Sequence, residues 1–251
     1  MKHQDARIAA AFRRLVEADQ VRSLLTPDEL TRAFVDAVAR AGGGCFSIRG
    51  TRPTIVFDLD GTIADTMPAL EAVGVELLRA AGVDDAVAAY RATIGRSFRE
   101  QLELTRPGDP GHDETARQHV ICHAHVYDTA DLKPGARDAL AHLARSHDVA
   151  IISASPTALV RAFLRRYDLG YPAYGSDSGD KATLLRRLRA TVYVGDSPHD
   201  EAAAAEAGAR FYALAGTFPA TAFSARSFDM LDDLARYVVR RHEVLEALQD
   251  G

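Results

Sequence analysis

Lysine is nearly missing from this 251-residue chain: of 30 basic residues, only Lys2, Lys133 and Lys181 are lysines, and the rest are arginines. In such a background each surviving lysine invites the question of what a compact cation does there. Tryptophan is absent, and Cys45 and Cys122 are the only cysteines. Two unpatterned cysteines exclude a disulfide framework and suit a reducing compartment. No apolar stretch approaches the roughly 20 residues that would cross a bilayer. The N-terminal run MKHQDARIAAAFRRLVEADQ scatters charges among its first apolar positions, so it does not read as a secretion signal. A cytoplasmic protein without membrane contact is therefore expected. Basic residues are also outnumbered, with 35 acidic residues and a net charge of -5. That balance argues against general nucleic-acid binding, which needs clustered cations to release counterions from phosphates. At 47% apolar and 26% charged, the composition excludes disorder and collagen-like repeats and leaves enough apolar residue for a real core.

What is present is a change of pattern along the chain. Residues 1 to about 50 read as a helical extension of two amphipathic helices. Ile8, Phe12, Leu15 and Val16 recur at helical spacing in the first. Thr26-Pro27-Asp28-Glu29 reads as a capped start of the second, and Gly42-Gly43-Gly44 as its stop. Packing of these helices against the rest of the chain, or a homodimer contact, is the expected use of them, giving a monomer or a homodimer. Thr54-Ile55-Val56-Phe57 is then short, β-branched and apolar, as a buried parallel strand should be. Residues 67–131 are almost wholly helical in pattern, broken by the loop RPGDPGHD. From Pro134 onward helices and strands alternate, with strands expected at 149–153, near Ala173-Tyr174, and at 191–195 and 210–215. Helices are expected at Ala136 to Ser146, 156–167, 180–189 and 200–207, and a closing one from about Ser227 to Leu248. Strands alternating with helices mean parallel βαβ units. The expected fold is α/β: a doubly wound parallel sheet formed by 51–66 and 132–251, with a helical insertion at 67–131.

Ligands of open α/β sheets bind outside the carboxyl ends of the strands. There the sequence places Asp58 and Asp60, followed by Gly61, which lets the chain turn sharply. Ser153 ends the second strand, Lys181 begins a helix, and Asp196 with Asp200 follows the strand TVYVG. Carboxylates crowded at one sheet edge repel each other unless a hard cation sits among them, and an all-oxygen set suits Mg²⁺. With the charge neutralised, one aspartate can attack phosphorus and another can move a proton, while lysine and serine hold the equatorial oxygens.

The stretches VFDLDGTIADT (56–66), IISAS (151–155), GDKATLL (179–185) and VGDSPHDEAAAAEAGA (194–209) resemble, in order, the four motifs of the haloacid dehalogenase superfamily. The likeness is to its phosphatases with a helical cap inserted after the first strand, the branch of the phosphoglycolate phosphatases and β-phosphoglucomutases. It implies Asp58 as nucleophile and metal ligand, and Asp60 as acid/base with its backbone carbonyl on Mg²⁺. It implies Ser153, Lys181, Leu59 and Ala154 as phosphate holders. Asp196 would be a metal ligand, and Asp200 would ligate directly or through water while orienting Lys181. Thr62 and Asp65 would couple the cap to the site, and the substrate would be a small phosphate ester; Arg96 falls where related caps place a substrate-facing loop and reads either as a contact to a second anionic group or as an ordinary surface arginine.

Departures from other branches narrow the reaction. Dehalogenases lack the counterpart of Asp60, and Schiff-base phosphonate cleavers need a cap lysine, which is missing between Thr66 and Leu132. Sugar phosphomutases place a histidine near Leu70 and usually lack the counterpart of Asp200. Hydrolysis of a phosphate monoester through an aspartyl phosphate is therefore expected. A phosphomutase and an idle, phosphate-sensing interaction protein are the alternatives. His119, Cys122 and His123 fall near one helix face with His125 beside them. No further ligand pair stands at a zinc spacing, so helix packing is expected there rather than metal. His199 reads as a helix-start residue inside the last motif.

Overall fold

The computed structural model describes residues 52–247, with side chains as far as residue 242. The helical extension expected at 1–50 and its Cys45 lie outside the described residues. The first strand, β1 (Thr54–Asp58), is buried at all five positions. It runs between β2 (Asp148–Ile152) and β4 (Ala190–Gly195), with β3 (Ala173–Tyr174), β5 (Arg210–Leu214) and β6 (Ser227–Phe228) outside them. The six strands take the order β3-β2-β1-β4-β5-β6, and every pairing is parallel. A strand buried on both faces must be apolar on both, which explains why TIVF shows no polar alternation.

Alternate residues of β1 serve opposite faces. Ile55 and Phe57 pack with Leu140, Phe163 and Leu234. These come from α5 (Ala136–Leu143), α6 (Thr157–Arg166) and α9 (Leu231–Ala247). Val56 instead packs with Leu184, Tyr193 and Ala204, beneath α7 (Lys181–Arg187) and α8 (Pro198–Ala207). Sheet and helices thus form three layers, the doubly wound arrangement the alternating pattern called for.

Between β1 and the rest of the sheet stand α1 (Met67–Ala80), α2 (Ala86–Thr93), α3 (Phe98–Thr105) and α4 (His112–Thr129). They share a separate core that includes Leu70, Val73, Leu78, Tyr90, Phe98 and Leu102. Gly74 lies in the middle of α1 because a Cβ there would come within 2.1 Å of the Tyr90 ring. α3 is started by a capping box in which Ser97 and Glu100 satisfy each other's backbone donors. The chain enters and leaves this helical group side by side, through an antiparallel bridge between Ala64 and Leu132. Asp65 donates its amide to the Asp131 carbonyl at 2.9 Å, and Lys133 donates to Ile63 at 2.7 Å.

Several boundaries differ from the sequence expectation: the helix expected to run to Ser146 ends at Leu143, most other shifts are of one or two residues, and two have a clear physical cause. The closing helix begins at Leu231, because Ser227–Phe228 forms a sixth strand that pairs with Ala213–Leu214. Phe228 is buried in register with the apolar stripe of the helix that follows, so periodicity alone merges the two. The helix expected at 200–207 begins at Pro198, since Ser197 caps it and proline suits a first turn. Among the described residues no helix is long and apolar enough to cross a membrane.

Candidate active site

The central position of β1, with β4 beside it, brings the ends of two strands together, and the acidic residues follow from that. Asp58 closes β1, Asp196 follows β4, and Asp200 sits in the first turn of α8. All three are buried, and each offers one carboxylate oxygen within 4.8 Å of the others'. Gly61 makes the approach possible: its φ is +75°, and a Cβ would meet Asp196 Oδ2 at 1.9 Å.

Lys181 enters this cluster from the first position of α7, whose start is held by Asp180 accepting from the Thr183 amide. Its Nζ donates to Asp58 Oδ1 at 2.8 Å and to Asp200 Oδ1 at 2.6 Å. Its side chain is 6% exposed, so it is not the solvated helix-end cation that its position in sequence permits. Asp200 also accepts from Tyr193 Oη at 2.7 Å and from the Ser197 amide at 3.1 Å. Burial would raise the Asp200 carboxyl, but Lys181, Ser197 and Tyr193 outweigh it and hold it below the ordinary carboxylate range.

The other two acids are short of partners. Burial, only partly offset by Lys181, pushes the Asp58 carboxyl well up, and the negative neighbours Asp200, Asp196 and Asp60 add to the rise. Burial and then the charge of Asp200 push Asp196 up to about 7, against a hydrogen bond from Thr217. One ammonium for three buried carboxylates leaves a deficit of positive charge. An all-oxygen set with that deficit is what a hard divalent cation fits. Asp58 and Asp196 are the residues with ligating capacity to spare, whereas Asp200 already accepts at both oxygens.

Asp60 has different surroundings. Tyr127 Oη donates to it, lying 2.9 Å from Oδ1 and 2.8 Å from Oδ2, and Thr66 Oγ1 donates at 2.9 Å. Ser153 Oγ donates at 3.0 Å and Ser155 Oγ lies 3.3 Å away. His123 Nε2 is 3.8 Å from Oδ1, too far for a hydrogen bond and within ion-pair reach when the imidazole is protonated. Burial would raise this carboxyl, yet His123, Tyr127 and Thr66 together hold it down at about 2.

Several expected site residues are thereby refined. The Ser153 hydroxyl, expected on phosphate, spends its proton on Asp60 and accepts from the Ser155 amide at 3.0 Å. Leu59 has a fully buried side chain, so only its backbone can face a ligand. Ala154, Asp58, Asp60, Asp196, Lys181 and Arg96 all line one cavity of about 190 Å³ between the inserted helices and the sheet edge. His119, His123 and Tyr127 recur every fourth residue on one face of α4. His119 stacks on Phe98 at 4.0 Å, and His123 meets Tyr127 edge-on at 4.5 Å. Burial and the neighbouring His123 push the His119 imidazole well down. His123 Nε2 lies 3.1 Å from Ser155 Oγ. The face is a ring stack that reaches Asp60, and among the described residues the aspartate trio is the only cluster with metal-holding geometry. Burial, then Lys181, lowers the His199 imidazole at the start of α8. Thr62 is fully buried with its hydroxyl unpartnered.

Comparison with known proteins agrees with the α/β fold. Residues 53–208 match the model of the haloacid dehalogenase-like hydrolases. Phosphoglycolate phosphatase 1 of Pseudomonas aeruginosa is 27% identical over 185 residues, covering 64% of this chain and 68% of that protein. A hydrolase from Pseudomonas syringae superposes with a TM-score of 0.65 at 20% identity, over 75% of this chain and 98% of its own. A haloacid dehalogenase-like hydrolase from Bacteroides fragilis gives 0.61 at 24% identity, over 73% and 99%.

Proposed function

The chain belongs to the haloacid dehalogenase-like hydrolase family, and from that premise we propose that it is a Mg²⁺-dependent phosphatase hydrolysing a small organic phosphate monoester through an aspartyl phosphate on Asp58. The observation that carries the proposal is the buried trio Asp58, Asp196 and Asp200, compensated by one lysine, beside the cavity under the inserted helices. Asp58 and Asp196 would hold the cation, with Asp200 acting through water. Mg²⁺ bound there would neutralise the carboxylates and draw charge from the phosphoryl oxygens.

Asp58 attacks phosphorus as the ester oxygen leaves. Lys181 holds Asp58 Oδ1 and orients the carboxylate for this attack. It also supplies a fixed positive charge where equatorial charge grows in the transition state, and Ala154 lines the wall nearby. Asp60 gives a proton to the leaving oxygen and later takes one from the water that cleaves the acyl phosphate. In the arrangement seen, Asp60 is a carboxylate, ready for the second role. A phosphate dianion arriving beside it disfavours its charge and raises its proton affinity, which readies it for the first role. The inserted helices close over the cavity and exclude bulk water. Arg96 lines the cavity while staying exposed, placed to receive a second anionic group such as the carboxylate of phosphoglycolate.

Release of inorganic phosphate from p-nitrophenyl phosphate, dependent on added Mg²⁺ and abolished by a chelator, is the direct test. Phosphate release that persists in the chelator would overturn the metal assignment.

The raised carboxyls carry a pH signature. The native Asp196 holds a proton up to about pH 7, which the unfolded chain releases near its ordinary carboxylate value. The metal-free fold therefore loses stability as pH rises across that window, and Mg²⁺ must displace a proton below it. The rise in melting temperature caused by magnesium chloride is expected to be larger at about pH 8 than at about pH 6. Thermal unfolding at the two pH values, with and without the salt, checks this.

Tyr127→Phe removes the phenol that bonds both oxygens of Asp60. Losing a donor to the charged form raises a carboxyl, so the limb of the pH-rate profile that reports Asp60 is expected to move to higher pH. An unmoved profile would show that the phenol does not tune Asp60.

A further inference from the structure

His123 is a buried imidazole that the mechanism above does not use. It stands on α4 one turn before Tyr127, and its Nε2 lies 3.1 Å from Ser155 Oγ. The same serine oxygen is 3.3 Å from Asp60 Oδ2 and 3.1 Å from Tyr127 Oη, which itself bonds both oxygens of Asp60. Ser155 and Tyr127 are buried too, and buried polar groups pair with one another. A serine hydroxyl has one proton and two lone pairs. Were Nε2 bare, it would compete with Asp60 for that proton. With a proton on Nε2, the ring donates into a lone pair of Ser155 Oγ and leaves the serine proton for Asp60 Oδ2. The negative charge of Asp60 favours this direction over the reverse. The neutral Nε2–H tautomer and the imidazolium present the same donor, so the arrangement does not depend on the charge of the ring.

We infer that His123 is a positioning residue for proton transfer to the leaving group: its Nε2–H holds Ser155 so that the serine hydroxyl donates to Asp60 and fixes the carboxyl where it lines the cavity. The inference rests on the phosphatase reading above and deepens it, since Asp60 matters as a proton carrier only in that chemistry. Asp60 and Ser155 follow β1 and β2 at the sheet edge, whereas His123 and Tyr127 come from the inserted helices. The two parts of the chain therefore build the acid/base together. A carboxyl held by several fixed donors keeps one orientation, and loss of one donor lets it turn away from the leaving oxygen.

The test is leaving-group dependence, which a merely structural role would not move. p-Nitrophenolate leaves with little help, whereas phenolate needs a proton from Asp60 far more. Comparing kcat/KM for the two phenyl esters reads the step that releases the phenol and leaves out the later hydrolysis of the acyl phosphate. In His123→Phe, which keeps a ring against Tyr127 but has no donor, kcat/KM for phenyl phosphate is expected to fall roughly tenfold further than that for p-nitrophenyl phosphate. His123→Gln restores an N–H near the position of Nε2 and is expected to return the ratio to within about threefold of wild type. Ser155→Ala should show the loss seen in His123→Phe, and the double variant no further loss, because the histidine acts through the serine. An unchanged ratio in His123→Phe, including an equal fall for both esters, would overturn the inference. So would a ratio as poor in His123→Gln, or losses that add in the double variant. A wild type that turns over the nitrophenyl ester and leaves phenyl phosphate untouched would also overturn it, since no acid is then at work. If His123→Phe does not fold, Ser155→Ala decides, and a wild-type ratio there condemns the inference. If the wild-type chain releases phosphate from neither ester, the phosphatase reading itself fails.

Discussion

Asp58→Asn is expected to lower kcat for phosphate release by at least about 10³-fold, because the amide is a far weaker nucleophile toward phosphorus than the carboxylate. The substitution is nearly isosteric, and the site gives it a second signature that separates chemistry from folding. Asp58 is buried beside two more carboxylates, and its carboxyl is pushed well up by burial and by those neighbours. Neutralising it removes a charge the metal-free fold disfavours, so the melting temperature of the variant without Mg²⁺ is expected to equal or exceed that of wild type. Mg²⁺ should stabilise the variant less than it stabilises wild type, having lost one ligand. Activity assays and thermal unfolding on the same preparations check both. Retained turnover would remove Asp58 from the nucleophile's role.

Lys181→Met is expected to be the most damaging single change to stability. The ammonium bonds Asp58 and Asp200 at 2.8 and 2.6 Å and is as buried as they are. Burial would lower its proton affinity, but the two carboxylates raise it well above the ordinary lysine value, so it stays charged. Removing one partner from a buried ion pair costs about 3–5 kcal/mol, because the charges left behind keep their desolvation cost and lose its compensation. Here the remainder is a group of three buried acids, which Mg²⁺ would partly neutralise. The variant is therefore expected to unfold at markedly lower denaturant without the metal and to recover part of the loss with it. Its turnover should stay low in both conditions, since the charge that stabilises the equatorial oxygens is gone. Denaturant titrations in chelator and in magnesium chloride provide the measurement, and a loss below about 1 kcal/mol would place Lys181 among ordinary surface ion pairs.

The two substitutions touch residues that stand out in the sequence, and the physical reason is local. Asp58 closes a short β-branched strand, Asp60 stands two residues beyond it and Asp196 directly follows β4, so the strand pattern that marks a buried parallel sheet also marks its carboxyl edge. Lys181 stands beside Asp180, a helix cap read from neighbouring residues. The groups around Asp60 are legible only in part. His119, His123 and Tyr127 recur every fourth residue, which shows a shared helix face, but nothing in that spacing says what the face meets. It meets Asp60, 67 residues away from Tyr127. Tyr193 reads as one more apolar strand residue, although its hydroxyl reaches Asp200. Thr217 lies in a loop with no pattern and bonds Asp196 because β5 runs alongside β4.

By itself the sequence determined the α/β class, the helical insertion after β1, and the acids and the lysine at the strand ends. These depend on periodicity and on residues that are neighbours along the chain. Tertiary structure alone decided that Ser153 gives its proton to Asp60 and that Asp200 is already saturated. It also decided that a two-residue sixth strand precedes α9. Each of these depends on which donors and acceptors meet across long sequence separations, and on whether the meeting excludes water. Hydrogen bonding and burial are properties of packed neighbours, and no spacing within one strand or helix encodes them.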